Sequence, residues 1–321
     1  MIEKAPLVFT PYLKSVIWGG NKICEYKGIA QPEPNIGESW EISAVPGHES
    51  VVAEGTYKGK TITELIDSFG AGLLGEKVMA KYGAKFPLLI KLIDAADNLS
   101  VQVHPDDALA MKRHGSLGKT EMWYIIGTDK DAKIYAGLNV AMTPDDYVKR
   151  VADGTFAETL AVHSSAPGDV FFLPAGRVHA IGAGNLLAEI QESSDITYRI
   201  YDYDRRDAAG NARELHTELA KDAIDYTVYD NYKDEPAPAD VANAEIVHCD
   251  HFTTDRILLD GKISLNFDGQ SFTVVMCIDG EATIGYPGGE LLLKAGHTAL
   301  LPAVLTDITL TGKSTILLSR S

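Results

Sequence analysis

Two histidines, a glutamate and a glutamine stand at spacings that suit one divalent metal. Gln102-Val103-His104 sets an amide and an imidazole two residues apart, and Glu121 opens the run Glu121-Met122-Trp123-Tyr124-Ile125-Ile126-Gly127. His179 closes Gly168-Asp169-Val170-Phe171-Phe172-Leu173-Pro174-Ala175-Gly176-Arg177-Val178-His179. Alternation along a strand directs Gln102 and His104 to the same face. A glycine, a Pro-x-Gly turn and a histidine among β-branched and aromatic residues can aim an imidazole into the lumen of a small β-barrel. A donor set of nitrogen and oxygen without sulfur suits zinc first, with iron(II), manganese or nickel behind it. Three or four protein ligands leave a position for water or a substrate oxygen, the mark of a catalytic rather than a structural site. The remaining histidines, His48, His114, His163, His216, His248, His251 and His297, have no ligand-like neighbours in sequence and read as surface or loop residues.

The elements that must position these groups are mostly strands. Gly and Pro punctuate short β-rich runs at Phe86–Ile93, Met122–Ile126, Lys133–Tyr135, Asp169–Leu173 and Leu186–Gln191. A second set follows at Ile257–Leu259, Phe272–Ile278, Glu281–Ile284, Glu290–Leu293, Thr298–Leu301 and Ser314–Leu318. Helices are expected at Thr61–Phe69 and Thr143–Ala152, each opened by a capping Thr followed by acids. Arg213–Ala223 and Pro105–Arg113 are further helical candidates, the latter with Pro at its start and Asp106 and Asp107 in its first turn.

Lys233–Asp240 is charged, carries prolines and lacks periodicity, so it reads as a linker between a unit at 1–235 and a second at 244–321. The second unit echoes the first: Lys294-Ala295-Gly296-His297-Thr298-Ala299-Leu300-Leu301-Pro302-Ala303 parallels the stretch from Ala166 to Ala175. The echo lacks the histidine, because Asp307 stands where His179 stands in the first copy. The expectation is two related β-barrels with a few peripheral helices, the C-terminal one free of metal.

Composition narrows the function. The 321 residues are 45% apolar, enough for one large core or two smaller ones. No apolar run reaches membrane-spanning length, and Met1-Ile2-Glu3-Lys4 leads into Pro6 and Pro11 rather than a signal-peptide core, so a cytoplasmic protein is expected. Cys24, Cys249 and Cys277 are few, odd in number and without a CxxC pair, which argues against disulfides and thiolate metal sites. A net charge of −16 disfavours nucleic acid and anionic membranes as partners. Any anionic substrate must therefore meet a few cations placed locally against the global field. Neither GxxxxGK[ST] nor GxGxxG is present, which disfavours nucleotide chemistry.

The spacing Gly168…Pro174-x-Gly176-x-x-His179 resembles the second cupin motif, and Gln102-Val103-His104…Glu121…Gly127 resembles the first with an insertion. More narrowly, Leu99-Ser100-Val101-Gln102-Val103-His104-Pro105-Asp106-Asp107 and Gly118-Lys119-Thr120-Glu121-Met122-Trp123-Tyr124 are similar to the type I mannose-6-phosphate isomerases. So are Gly37-Glu38-Ser39-Trp40, Phe86-Pro87-Leu88-Leu89-Ile90-Lys91 and Glu189…Ser194-Asp195…Tyr198-Arg199. The likeness runs over about residues 10–320 and is closest to the short bacterial form. The chain lacks the large helical insertion that longer members carry between Glu121 and His179.

The resemblance implies a zinc-dependent aldose–ketose isomerase that interconverts mannose 6-phosphate and fructose 6-phosphate through an enediol(ate). It implies one zinc ion on Gln102, His104, Glu121 and His179, with Gln102 either a ligand or a partner of a ligated water. Glu189 becomes the first candidate for the acid/base, with Glu38 and Asp195 as alternatives. Lys91 interrupts an apolar run and is expected to face the lumen rather than snorkel at a rim. Ser100, Lys119 and Arg199 are the expected phosphate cradle, with Arg199 alternatively paired to Asp195 or Asp202, or acting on the enediolate as a catalytic group. Trp18 and Asp195 are expected to contact the sugar. Such an enzyme, a monomer or homodimer, would serve mannose catabolism or supply mannose 6-phosphate for GDP-mannose and glycan synthesis. Two other readings of the same residues are an iron-dependent cupin oxygenase and a non-catalytic sugar-binding cupin.

Overall fold

The computed structural model describes residues 1–206, 209–234, 237–238 and 240–321. Every expected strand run meets a strand, although Phe86, Pro87, Asp169, Phe272 and Ile278 fall just outside theirs, and the chain is mainly β with short peripheral helices. Within the expected linker, Glu235, Pro236 and Ala239 lie outside the described residues, as does the expected boundary at Glu235.

Two antiparallel sheets enclose the core that carries the metal-type motifs. The first runs Val170–Leu173, Glu121–Thr128, Asn185–Glu192, Leu88–Asp94, Ile36–Ile42, Tyr12–Gly20. The second runs Tyr198–Tyr201, Val101–Val103, His179–Ile181, Lys133–Leu138, Leu160–Ser164. Their inner faces meet where Ile93, Trp123, Ile125 and Phe171 pack with Ile134, Ala136 and Ile181. Burial of each large side chain of this kind stabilises the fold by about 1.5–3 kcal/mol.

The register of the first sheet explains how charged groups enter this wall. Trp40 pairs with Lys91, Lys91 with Glu189, Glu189 with Trp123, and Trp123 with Phe171. Directly paired residues share a face, so these five form one row across the inner surface. The outer face presents Leu88, Ile90, Leu92, Ala188 and Ile190 to Phe272, Val274, Met276 and Leu300 of the C-terminal region.

The C-terminal sheet is built around two long strands, Thr253–Asn266 and Asp307–Arg320, and has its own core of Val275, Ala299, Leu301, Ile316 and Leu318. The N-terminal strand Leu7–Thr10 joins this sheet, pairing Leu7 with Leu300. Asp307 heads the last strand and bonds to Asn266 and Thr306 rather than to any imidazole.

The helices expected at Thr61 and Thr143 form as Ile62–Phe69 and Pro144–Ala152, each with a capping box closed by Glu64 or Asp146. The candidate at Pro105 starts later, at Asp107–His114, because Asp106 serves as the cap by accepting from the Leu109 amide. The candidate at Arg213 shortens to Thr217–Ala223. Its first residues are diverted: Arg213 binds Asp202, and the His216 amide donates to the Arg199 carbonyl at 2.7 Å. The short helices Lys22–Lys27, Ala71–Leu74 and Glu76–Tyr82 lack the length for a periodic signal in sequence. No helix among the described residues is long and apolar enough to cross a membrane.

Candidate active site

The two sheets contribute opposite halves of one donor cluster. His104 and His179 come from the five-stranded sheet and its margin, while Glu121 begins the facing strand of the six-stranded one. One ligand atom from each lies within 4.8 Å of the others. Glu121 Oε1 is 3.2 Å from His179 Nε2, and Glu121 Oε2 is 3.7 Å from His104 Nε2. Gln102 pairs directly with His179 across adjacent strands and brings its amide within 3.3 Å of the same Nε2.

Backbone carbonyls fix both imidazoles. His104 Nδ1 donates to the Ile196 carbonyl and His179 Nδ1 to the Arg177 carbonyl, each at 2.8 Å. That leaves both Nε2 lone pairs directed at the cluster, the tautomer a metal ligand needs. Burial holds both imidazoles below the usual histidine pKa, His179 down to about 4, so they stay neutral and able to ligate. Burial likewise pushes the Glu121 carboxyl up, against the pull of Lys119 at 3.1 Å. His104 Nε2 and Glu121 Oε1 are buried without hydrogen-bond partners, while Glu121 Oε2 faces the Lys119 ammonium. Orphaned polar atoms of this kind are costly in a protein interior unless a cation takes them up. The donor set therefore fits a metal ion.

Beside the cluster opens a cleft of about 410 Å³, bordered by Gln102 and Lys119. Five cations line it, Lys14, Lys91, Lys119, Arg199 and Arg213, within a chain of net charge −16. Every other expected site residue also lines it: Trp18, Glu38, Ser100, Glu189 and Asp195. Lys91 is buried and faces this lumen. Its Nζ lies 2.9 Å from Glu189 Oε2 and 3.7 Å from Glu38 Oε2. Trp123 Nε1 donates to Glu189 and Trp40 Nε1 to Glu38. Burial raises both carboxyls, but Lys91, a second lysine beside each (Lys119 or Lys14) and the indole hydrogen bonds together hold both below the ordinary glutamate value. Each is thus a charged carboxylate at neutral pH.

Arg199 makes no ion pair with Asp195 or Asp202 among the described residues. Its Nε donates to Ser100 Oγ at 3.3 Å and its Nη1 to the Glu214 carbonyl at 3.0 Å. Burial, and then the nearby Arg213 guanidinium, lower its pKa. Asp202 is instead gripped by Arg205 and Arg213.

Sequence reasoning missed Lys14, Trp40, Arg213 and His216 as lining residues. Trp40 lay inside a quoted motif, but Arg213 and His216 arrive on a loop whose course only the fold defines. Three of the other histidines, found in loops or exposed as expected, make specific contacts. His216 lines the cleft, His114 bonds to the Tyr198 hydroxyl, and His251 packs against Glu192. With Asp107, these last two form a second group of converging donors, at the junction with the C-terminal region.

Comparisons with known proteins agree with this architecture. Residues 7–140 match the family model of the phosphomannose isomerase type I catalytic domain, and residues 243–321 that of the mannose-6-phosphate isomerase cupin domain. The chain is 38% identical to mannose-6-phosphate isomerase ManA of Bacillus subtilis, covering 98% of each protein. It is 35% identical to the mannose-6-phosphate isomerase of Streptococcus mutans, again over 98% of each. The crystal structure of the mannose 6-phosphate isomerase from Bacillus subtilis superimposes with a TM-score of 0.89 at 36% identity, over 98% of this chain and 99% of that one. Matched along its length in sequence and fold, the chain belongs to the type I phosphomannose isomerase family.

Proposed function

We propose that this chain is a zinc-dependent isomerase that interconverts mannose 6-phosphate and fructose 6-phosphate through an enediol(ate). One observation carries the reading: His104, Glu121 and His179 converge, with His104 Nε2 and Glu121 Oε1 buried and unpartnered, beside a cation-lined cleft. Iron-dependent oxygenation fits less well, because the cleft is built for an anion. Mere sugar binding would not require a buried Lys91–Glu189 pair beside the donors.

His104, Glu121 and His179 would hold the ion, with Gln102 as fourth ligand or as partner of a ligated water. Bound there, zinc would supply electrophilic stabilisation of the negative charge that develops on the substrate oxygens. Arg199, Arg213 and Ser100 bind the phosphate at the other side of the cleft, and Trp18 walls the sugar. Glu189 carries the proton between neighbouring carbons: it is anionic, faces the lumen and stands on the strand beside Glu121. Lys91 keeps it charged and oriented. Glu38 is occupied by Lys14, Lys91 and Trp40, and Asp195 sits exposed at the rim, so both serve position rather than proton transfer.

Residues 1–235, apart from the strands Leu7–Thr10 and Val51–Val52, form the catalytic unit, and 244–321 form a second, metal-free barrel that covers its outer face. The chain works in the cytoplasm, either in mannose breakdown or in supplying mannose 6-phosphate for GDP-mannose. The test is a coupled assay with mannose 6-phosphate, run with and without a chelator. Isomerisation that survives complete metal removal would refute the reading.

A further inference from the structure

Besides its apolar contact with the outer face, the C-terminal region places a titratable side chain at the end of the strand that carries Glu189. His251 stands in the turn between the strands Asn243–His248 and Thr253–Asn266, and its Nδ1 lies 2.9 Å from Glu192 Oε1. Glu192 ends the strand that carries Glu189. Three positions on, it falls on the opposite face of the sheet, away from the cleft and toward the C-terminal region.

Glu192 clamps one residue twice. Its Oε2 accepts from the Thr120 amide at 2.7 Å, and its own amide donates to the Thr120 carbonyl at 3.1 Å. Thr120 lies between Lys119, which lines the cleft, and Glu121, which supplies a ligand oxygen. The Thr120 hydroxyl also accepts from the Ala175 amide at 3.4 Å, in the turn that leads to His179. Thr120 therefore ties together the two halves of the donor cluster.

We propose that His251 is a positioning residue for the metal centre, acting through Glu192 and Thr120 to hold Lys119 and Glu121 in place. This rests on reading His104, Glu121 and His179 as metal ligands.

The argument is electrostatic. Glu192 is only 2% exposed, and among the described residues His251 is the one partner of its Oε1. Without the imidazole that oxygen is left buried and unpartnered, and the side chain turns toward water. Turning draws Oε2 away from the Thr120 amide and weakens a charge-assisted hydrogen bond. The contact with Glu192 raises the His251 pKa, consistent with a charged pair. Asp107 and Lys81 are the other charged groups that act on this imidazole. Asp107 is already committed to the Gly118 amide at 2.7 Å, which favours the relay over a second ion site.

The experiment compares full-length wild type, His251→Ala, His251→Gln and Tyr26→Phe. Tyr26 donates to the Ile278 carbonyl and so joins the same two regions far from Glu192. Zinc affinity is measured by competition with a chromophoric chelator, and kcat and KM for mannose 6-phosphate separately. Direct partners of metal ligands are worth about 10–100-fold in affinity, so one step further out the expected loss in His251→Ala is about 3–10-fold in zinc affinity and in kcat, with KM little changed. His251→Gln, which keeps a donor, should recover part of both, and Tyr26→Phe should lose neither. Wild-type zinc affinity in His251→Ala, or an equal loss in Tyr26→Phe, would overturn the relay. So would a second zinc per chain that disappears in His251→Ala, since it would make Asp107, Glu192 and His251 an ion site. A wild-type chain that takes up no zinc overturns the metal reading itself, and zinc uptake is read without substrate.

Discussion

Lys91 and Glu189 sit directly opposite each other on adjacent antiparallel strands, and their charges meet at 2.9 Å inside an apolar wall. The pairing is set by backbone register, so neither side chain can leave the lumen without the whole strand slipping. Removing one partner strands a buried charge. Lys91→Met should therefore destabilise the fold by about 3–5 kcal/mol, whereas Lys91→Met with Glu189→Gln should cost clearly less than the sum of the singles. Urea denaturation of the four variants tests this, and additive losses would mean that the pair is not coupled.

Glu189→Gln keeps the shape and the Trp123 contact but removes the charge. If Glu189 moves the proton, kcat should fall by about 10²–10⁴-fold with little change in KM. Solvent exchange of the substrate C–H should fall in parallel. A variant that retains most of its kcat would pass the role to Glu38 or Asp195.

Chelation should abolish isomerisation, and added zinc should restore it. His104→Ala and His179→Ala should lose bound metal and turnover together, because each removes a ring already oriented by a backbone carbonyl. His297→Ala should retain both, since that ring stands in the second copy of the motif and, among the described residues, bonds only its local carbonyl at Ala295. Metal content by atomic absorption, beside the coupled assay, checks all three.

The parts of the site legible in sequence were those governed by short-range rules. Period-2 alternation placed Gln102 and His104 on one face, and the Pro-Gly turn placed His179 just beyond it. The loop from Asp202 to His216 was not legible. Its small and apolar spacing suggested a helix from Arg213, but the Arg213 bond to Asp202 and the His216 backbone bond to Arg199 hold the chain out of a helix until Thr217. The shared edge between Leu7–Thr10 and Thr298–Leu301 was equally hidden, because such distant pairing leaves no local pattern. His251 escaped for the same reason: its partner, Glu192, is in another part of the chain.

Two guanidiniums facing one cleft repel each other until an anion lies between them. Arg199 and Arg213 are placed in this way, with the Ser100 hydroxyl bonded to Arg199. Arg213→Ala and Arg199→Lys should each raise KM for mannose 6-phosphate by about 10–100-fold, the equivalent of one charged hydrogen bond. Inorganic phosphate should inhibit both variants less than wild type. Unchanged KM in Arg213→Ala would leave that residue a loop anchor only.

Asp202 supports that pair from behind. Burial opposes its charge, but Arg213 and Arg205 prevail and hold its carboxyl below the ordinary aspartate value. A carboxyl depressed in the folded state contributes stability that is fully present above its unfolded pKa. The contribution is lost as pH falls through the lower folded value. Wild-type stability should therefore drop as pH passes from about 5 to about 3, and Asp202→Asn should show a shallower drop over that window. At neutral pH the same variant should raise KM through a loosened Arg213 while sparing metal content. Melting curves across the acid range, with KM at neutral pH, check both parts. Parallel acid profiles for wild type and Asp202→Asn would show that the Asp202 carboxylate contributes nothing to the loop's stability.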